Sequence, residues 1–156
     1  MKSLLVLSLL VLGTQAQDST TLFSELHQQG NDVSLTESVE LLQPLDFNDK
    51  AKSIIVNGVW IYYQHASFNE LPGMAFLAYG TNASMDLPSS AFDSVSSVRN
   101  VKLALDEDEN MITLFKGMSY AAQEVTTNTS LNAIIDVYEE VSSLITSGMK
   151  PWTVYT

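Results

Sequence analysis

The densest run of ionisable groups in the chain is Asp106-Glu107-Asp108-Glu109, four carboxylates in succession. Carboxylates can collect Ca2+, but an ordered oxygen cage needs a turn that folds several ligands around one ion, usually with a glycine in it. No glycine interrupts this run, so it reads as a solvated linker. Glu139 and Glu140 are neighbours in sequence and need not converge on a substrate. The two histidines, His27 and His65, form no H-x-x-x-H pair and stand by no nucleophile elbow. Both are expected on exposed loops. There is no cysteine, which removes thiol nucleophiles, thiolate metal sites and disulfides together. No glycine-rich phosphate loop is present. These residues point away from an enzyme.

Charge narrows the partners. Eighteen acidic and seven basic side chains give a formal net charge of −11. Nucleic-acid binding depends on Lys and Arg neutralising phosphates, so this balance argues against it. Anionic membrane surfaces are disfavoured for the same reason. The balance is compatible with cation binding and equally with plain solubility.

Residues 1–16 read as a secretory signal peptide. Lys2 supplies a positive start, Leu4 to Leu12 an apolar stretch broken only by Ser8, and Thr14-Gln15-Ala16 small residues for cleavage. The stretch is too short for a membrane-spanning helix, and no other long apolar run follows. A secreted, extracellular chain is expected. Two sequons, Asn82-Ala-Ser84 and Asn128-Thr-Ser130, fit a glycoprotein with surface loops there.

The elements that must position any site read mostly as short strands. Val33-Ser-Leu-Thr alternates, Ser53-Ile-Ile-Val ends at the turn-favouring Asn57-Gly58, Trp60-Ile-Tyr-Tyr follows, and Met74 to Tyr79 ends at Gly80. Further turn signals are Gly30-Asn31, Leu71-Pro72-Gly73 and Gly80-Thr-Asn82. Strands of this length with regular turns suggest a sandwich or barrel. Residues 131–141 have helical propensity. The matching stretch from Val39 to Asp49 contains Pro44, so an irregular connection with a short helical turn is expected in both.

A repeat organises these strands. Phe23 and Phe115 lie 92 residues apart, each after a Thr-Leu pair. Trp60 and Trp152 are also 92 apart, and each opens a W-x-x-Y box. Within each copy the first aromatic and the box tyrosine are 40 apart (23 to 63, 115 to 155). Nested periods mean a duplicated unit inside a duplicated domain.

This pattern resembles the βγ-crystallin Greek-key motif, which opens on an aromatic, carries a second aromatic five residues on and a glycine seven on, and places a serine-rich strand late. Motif 1 offers Phe23, Gln28, Gly30 and then Asn48 to Ser53. Motif 2 offers Tyr63, Phe68, Glu70 and then Phe92 to Ser97 with Arg99. Motif 3 offers Phe115, Tyr120, Ala122 and then Tyr138 to Ser143. Motif 4 stops at Tyr155-Thr156. The resemblance implies an all-β, βγ-crystallin-like Greek-key β-sandwich: one complete domain at 20–102, an acidic linker at 103–110 and the first half of a second domain at 111–156. Glu70 stands at the glycine position of motif 2, where Gly73 could lengthen the turn instead. Ala122 stands there in motif 3 with no nearby substitute, which leaves that hairpin open at this stage. A half domain leaves strand edges and an apolar face open. The chain is therefore expected to be a fragment, or to be completed by a second protomer or another protein.

The resemblance also implies calcium sites shared between paired motifs, with the signature N/D-N/D-x-x-S/T-S in each. One motif would give a backbone carbonyl at the third position and a hydroxyl at the fifth, and the other a carboxylate at its second. Oxygen-only ligation of this kind suits Ca2+. The better site would use Asp49, the Ser94 carbonyl and Ser96. The impaired one would use Asp93 and the Lys50 carbonyl, but Lys52 stands where a hydroxyl is needed. An ammonium cannot ligate a cation and repels it. Glu139 and Ser142 would be half sites. These serines and aspartates could equally serve local turns. Arg99 is expected to be a structural or surface residue rather than a ligand-binding one. The function implied is a secreted, non-enzymatic structural protein, with calcium binding as a further expectation; the alternative is an interaction module of a larger multidomain secreted toxin or defence protein.

Overall fold

The computed structural model describes residues 17–131 and 141–155. The leader at 1–16, most of the 131–141 stretch and Glu139 lie outside the described residues.

The fold is all-β with Greek-key pairing, as the repeat implies. β1 (Ser19–Phe23) buries Thr20 and Leu22 on alternate positions, the period-2 signature of a half-covered strand. β2 (Asp32–Leu35) runs antiparallel beside it, with Phe23 opposite Asp32. The Val39–Asp49 connection holds one short helical turn, Gln43–Leu45, with Pro44 inside it.

Two long strands then run the length of the five-stranded sheet that holds the first unit. β3 (Ser53–Tyr63) pairs over its first half with β1 and with Ala83–Asp86 of β4 (Ala75–Asp86). Over its second half, Gly58–Tyr63, it pairs with Ala75–Gly80 of β4 and with β5 (Ser97–Asn100). Val39 bridges Val98 on the far side of β5.

The turns expected at Asn57-Gly58 and Gly80-Thr-Asn82 are therefore not turns. Both strands run through them, and Thr81 and Asn82 bulge opposite the single Asn57. Asn-Gly favours a backbone that a bulge and a hairpin both need, so the local signal could not separate the two. Gly58 has φ +96°, and a Cβ there would come within 2.4 Å of the Asp18 carboxylate.

The alternation of β3 builds two cores. Ile54, Val56, Trp60 and Tyr62 join Leu22, Leu42, Phe47, Ala78 and Val98 inside the first unit. Val59, Ile61 and Tyr63 point the other way and meet Val101, Leu103 and Phe115. Each fully buried aliphatic or aromatic side chain contributes about 1.5–3 kcal/mol by area. Leu103 is part of this second core, so only the exposed stretch around Asp106–Glu109 behaves as a solvated linker.

The second unit repeats the first motif. β6 (Met111–Phe115) lies between β7 (Glu124–Thr127) and β8 (Ser143–Ser147). Phe115 pairs with Glu124 and Ser143, as Phe23 pairs with Asp32 and Ser53. The second W-x-x-Y box lies outside any strand: Trp152 packs on the Ile112 and Leu114 cluster, as Val125 does, and Tyr155 is exposed.

Candidate metal centre

Each hairpin is latched by one serine. Ser53 Oγ donates to the Glu25 carbonyl (2.6 Å) and accepts from the Gln28 N–H (2.9 Å). Ser97 Oγ does the same with the His65 carbonyl (2.6 Å) and the Phe68 N–H (3.1 Å). Ser143 Oγ repeats it with the Gly117 carbonyl (2.7 Å) and the Tyr120 N–H (3.0 Å). One hydroxyl thus satisfies two backbone groups that a tight corner would otherwise leave unpaired.

The corners differ in how they reach left-handed geometry. Gly30 has φ +81°, as a glycine there should. In the second hairpin the work falls to Asn69, at φ +59°, and not to Gly73. The Asn69 side chain accepts from the His65 N–H (2.8 Å) and donates to the Met74 carbonyl (2.9 Å), replacing turn bonds with its own amide. His65 is half-buried here, against expectation, while His27 is exposed. The third hairpin also folds, which the sequence reading left open, with Ala122 itself at φ +66°. Tilted aromatic pairs stiffen two corners: Tyr63 with Phe68 at 5.7 Å and Phe115 with Tyr120 at 5.6 Å.

The two signature loops of the first unit face each other reciprocally. The Asp49 N–H donates to the Val95 carbonyl (3.0 Å), and the Asp93 N–H to the Ala51 carbonyl (3.3 Å). Asp49 and Asp93 are both left-handed, with φ +53° and +49°. The chain therefore turns each aspartate toward the opposite motif.

One loop pair has the chemistry of an oxygen site. Ser96 Oγ lies 3.1 Å from Asp49 Oδ1, across the boundary between motifs. Ser96 is nearly buried and Asp49 is exposed, so the pair opens outward. Asn48 Nδ2 donates to the other carboxylate oxygen (2.7 Å). Ser94, two residues before Ser96, uses its hydroxyl on the Ala91 carbonyl (3.0 Å) and lines a cleft of about 290 Å³ together with Gln64. No Lys or Arg among the described residues forms an ion pair with Asp49. A carboxylate and a hydroxyl in contact are two oxygens of the kind Ca2+ takes, out of the six to eight it needs.

The other loop pair holds an ammonium. Lys52 Nζ lies 3.8 Å from Glu25 and 3.9 Å from Asp93. Lys50 turns its side chain to Asp46, donating to a carboxylate oxygen at 2.7 Å. Asp93 and Lys52 thus meet, but as an ion pair. In the second unit the Ser142 N–H donates to the Phe115 carbonyl (2.9 Å). Among the described residues no three His, Asp or Glu side chains gather into a metal-holding group.

Arg99 has a role that its position in the sequence did not reveal. It is buried, 4.2 Å from the Phe68 ring centroid, and it also faces Tyr63 and Phe115. It donates to Glu124 (3.1 Å) and to the Ala122 carbonyl (2.9 Å), both in the second unit. Tyr63 adds a hydrogen bond to the Tyr120 carbonyl (2.6 Å). Burial pushes the Glu124 carboxyl above its ordinary range, and Arg99 offsets this only in part. Burial likewise raises the hydroxyls of Tyr62 and Tyr63. An aromatic pair beside a lone arginine was the available signal.

A family model described as Beta/Gamma crystallin matches residues 19–101. Among solved structures, Geodin, a beta-gamma crystallin from Geodia cydonium, is 23% identical with a TM-score of 0.63, covering 85% of this chain and 73% of its own. A beta gamma crystallin from Ciona intestinalis is 29% identical with a TM-score of 0.46, covering 53% of this chain and 98% of its own. No curated protein matches the chain.

Proposed function

The chain belongs to the beta/gamma crystallin family, and from that premise we propose that it is a secreted, non-enzymatic structural protein whose first unit binds a single Ca2+ between its two motifs. The observation that carries this reading is the 3.1 Å contact between Ser96 Oγ and Asp49 Oδ1, made across motifs whose backbones are tied beside it. Asp49 would supply the charge, Ser96 a neutral oxygen and the Ser94 carbonyl a third donor. The ion would then cross-link two halves of one sandwich, and binding to the folded state alone stabilises it. At a hundredfold excess over Kd that linkage amounts to about 2.7 kcal/mol. The apolar stretch at residues 4–12 and the exposed sequon residues Asn82 and Asn128 support secretion and glycosylation.

The test is calorimetric titration with Ca2+ beside thermal melting. One ion per chain and a raised Tm are expected, with both lost in Asp49→Asn and kept in Asp93→Asn. A flat titration and an unchanged Tm at millimolar Ca2+ would reject the reading.

A further inference from the structure

β1 begins at Ser19, and the two residues before it are already part of the fold. The Gln17 carbonyl accepts a hydrogen bond from Asn57 Nδ2 at 2.9 Å. Asn57 stands at the bulge of β3, where its own carbonyl accepts from the Trp60 indole N–H at 3.0 Å. Asn57 therefore joins Gln17 to a tryptophan of the first core. Asp18 comes next and lies against Gly58. The Asn100 side chain hydrogen-bonds to Asp18, and the Lys102 ammonium is near enough to favour its charge. Asp18 thus has its partners within the first unit.

Gln17 itself is exposed, and its bond to Asn57 uses the backbone carbonyl, not the side chain. Among the described residues the Gln17 side chain has no hydrogen-bond partner. Cleavage after Ala16, the small residue that closes the leader, would make Gln17 the first residue of the secreted chain. A glutamine in that place carries two groups that react with each other. Its α-amine has an ordinary pKa of about 7.7–8.0, so part of it is uncharged and nucleophilic at neutral pH. Its own side-chain amide carbon lies at the spacing that closes an unstrained lactam ring.

On the reading that the chain is secreted, we propose that Gln17 is a modification site at which the mature chain is closed as N-terminal pyroglutamate. The amine nitrogen bonds to the side-chain Cδ, the bond from Cδ to Nε2 breaks, and ammonia leaves with a proton from the amine. No oxidant or cofactor enters. The product loses the terminal charge but keeps the α-carbonyl that Asn57 holds. Aminopeptidases need a free α-amine, so the lactam preserves the residue that ties the bulge. Asn100 and Lys102 already serve Asp18, so removing the neighbouring ammonium strands no carboxylate.

The test uses the full chain with its own leader, expressed in a secreting eukaryotic cell. Mass spectrometry of the secreted protein's N-terminal peptide should show a start at Gln17 and a mass lower than the sequence by one ammonia. Edman degradation of the intact chain should be blocked until pyroglutamyl aminopeptidase removes the ring. Gln17→Ala keeps the backbone carbonyl but cannot cyclise, and Gln17 is exposed, so the fold should survive. That variant should give a readable sequence from position 17 and be shortened by an aminopeptidase that leaves the wild type unchanged. A secreted chain with a free amine at Gln17 overturns the inference and leaves secretion standing. A secreted chain that starts at another residue overturns the inference together with the cleavage site. A chain retained in the cell overturns secretion as well, while the calcium reading keeps its own titration.

Discussion

The guanidinium of Arg99 lies 3.1 Å from the carboxylate of Glu124, joining β5 of the first unit to the edge strand β7 of the second. Three aromatic rings pack around the arginine, so it acts as a staple and not as a surface charge. Arg99→Met keeps much of the volume and deletes the charge and its donors. It should cost about 2–4 kcal/mol, because Glu124 and the Ala122 carbonyl lose their partner in a partly buried setting. Differential scanning calorimetry should show the second unit melting earlier than the first. A single transition at the wild-type temperature would show that the apolar contacts suffice.

The same pair predicts a pH dependence. Glu124 has its carboxyl raised by burial, so the folded state holds that proton more tightly than the unfolded chain does. Its contribution to stability is then fully present below the unfolded value and is lost as pH rises through the folded one. Relative to Glu124→Gln, the wild type should gain stability as pH falls through the acid range. Urea unfolding of both proteins at several pH values measures the difference. Parallel curves would remove Glu124 as the source.

Lys52 offers a gain-of-function experiment. Its ammonium stands between Glu25 and Asp93 where the signature wants a hydroxyl. Lys52→Ser should raise the calcium stoichiometry from one to two per chain, read by titration calorimetry. The substitution removes only exposed-type ion pairs, worth about 0–1 kcal/mol, so the fold should survive. An unchanged stoichiometry would mean that the loop lacks a further ligand.

Ala122 is strained where Gly30 is relaxed, both lying in the left-handed region at equivalent hairpin positions. Ala122→Gly should stabilise the second unit by about 0.5–1 kcal/mol, the left-handed cost less the greater freedom of glycine in the unfolded chain. Gly30→Ala should destabilise by more, since a Cβ there comes within 2.4 Å of Ser24 Oγ. Chemical denaturation of both variants checks the sign.

The repeat in the sequence was enough for the fold, because aromatic and serine positions are fixed by corners that cannot be built another way. Phe23, Tyr63 and Phe115 sit where the period puts them, and Ser53, Ser97 and Ser143 make the same two bonds. The contact between Asp49 and Ser96 was also legible, since each lies at a defined place in its loop. Three things were not. Asn57-Gly58 looks the same in a bulge as in a turn. Asn69 replaces a glycine through side-chain bonds that no spacing rule encodes. Arg99 finds its ion-pair partner, Glu124, and one of its three rings, Phe115, in another unit.

The second half of β3 has no solvent side: Trp60 and Tyr62 root in one core, Ile61 and Tyr63 in the other. The acidic segment that follows would, on its own, let two modules swivel freely. Instead the second module stands on a wall of the first, and rotating it would shear side chains anchored in a hydrogen-bonded ladder. The pair moves as one lever, and whatever engages the far module is held at a set angle to the Asp49 loop.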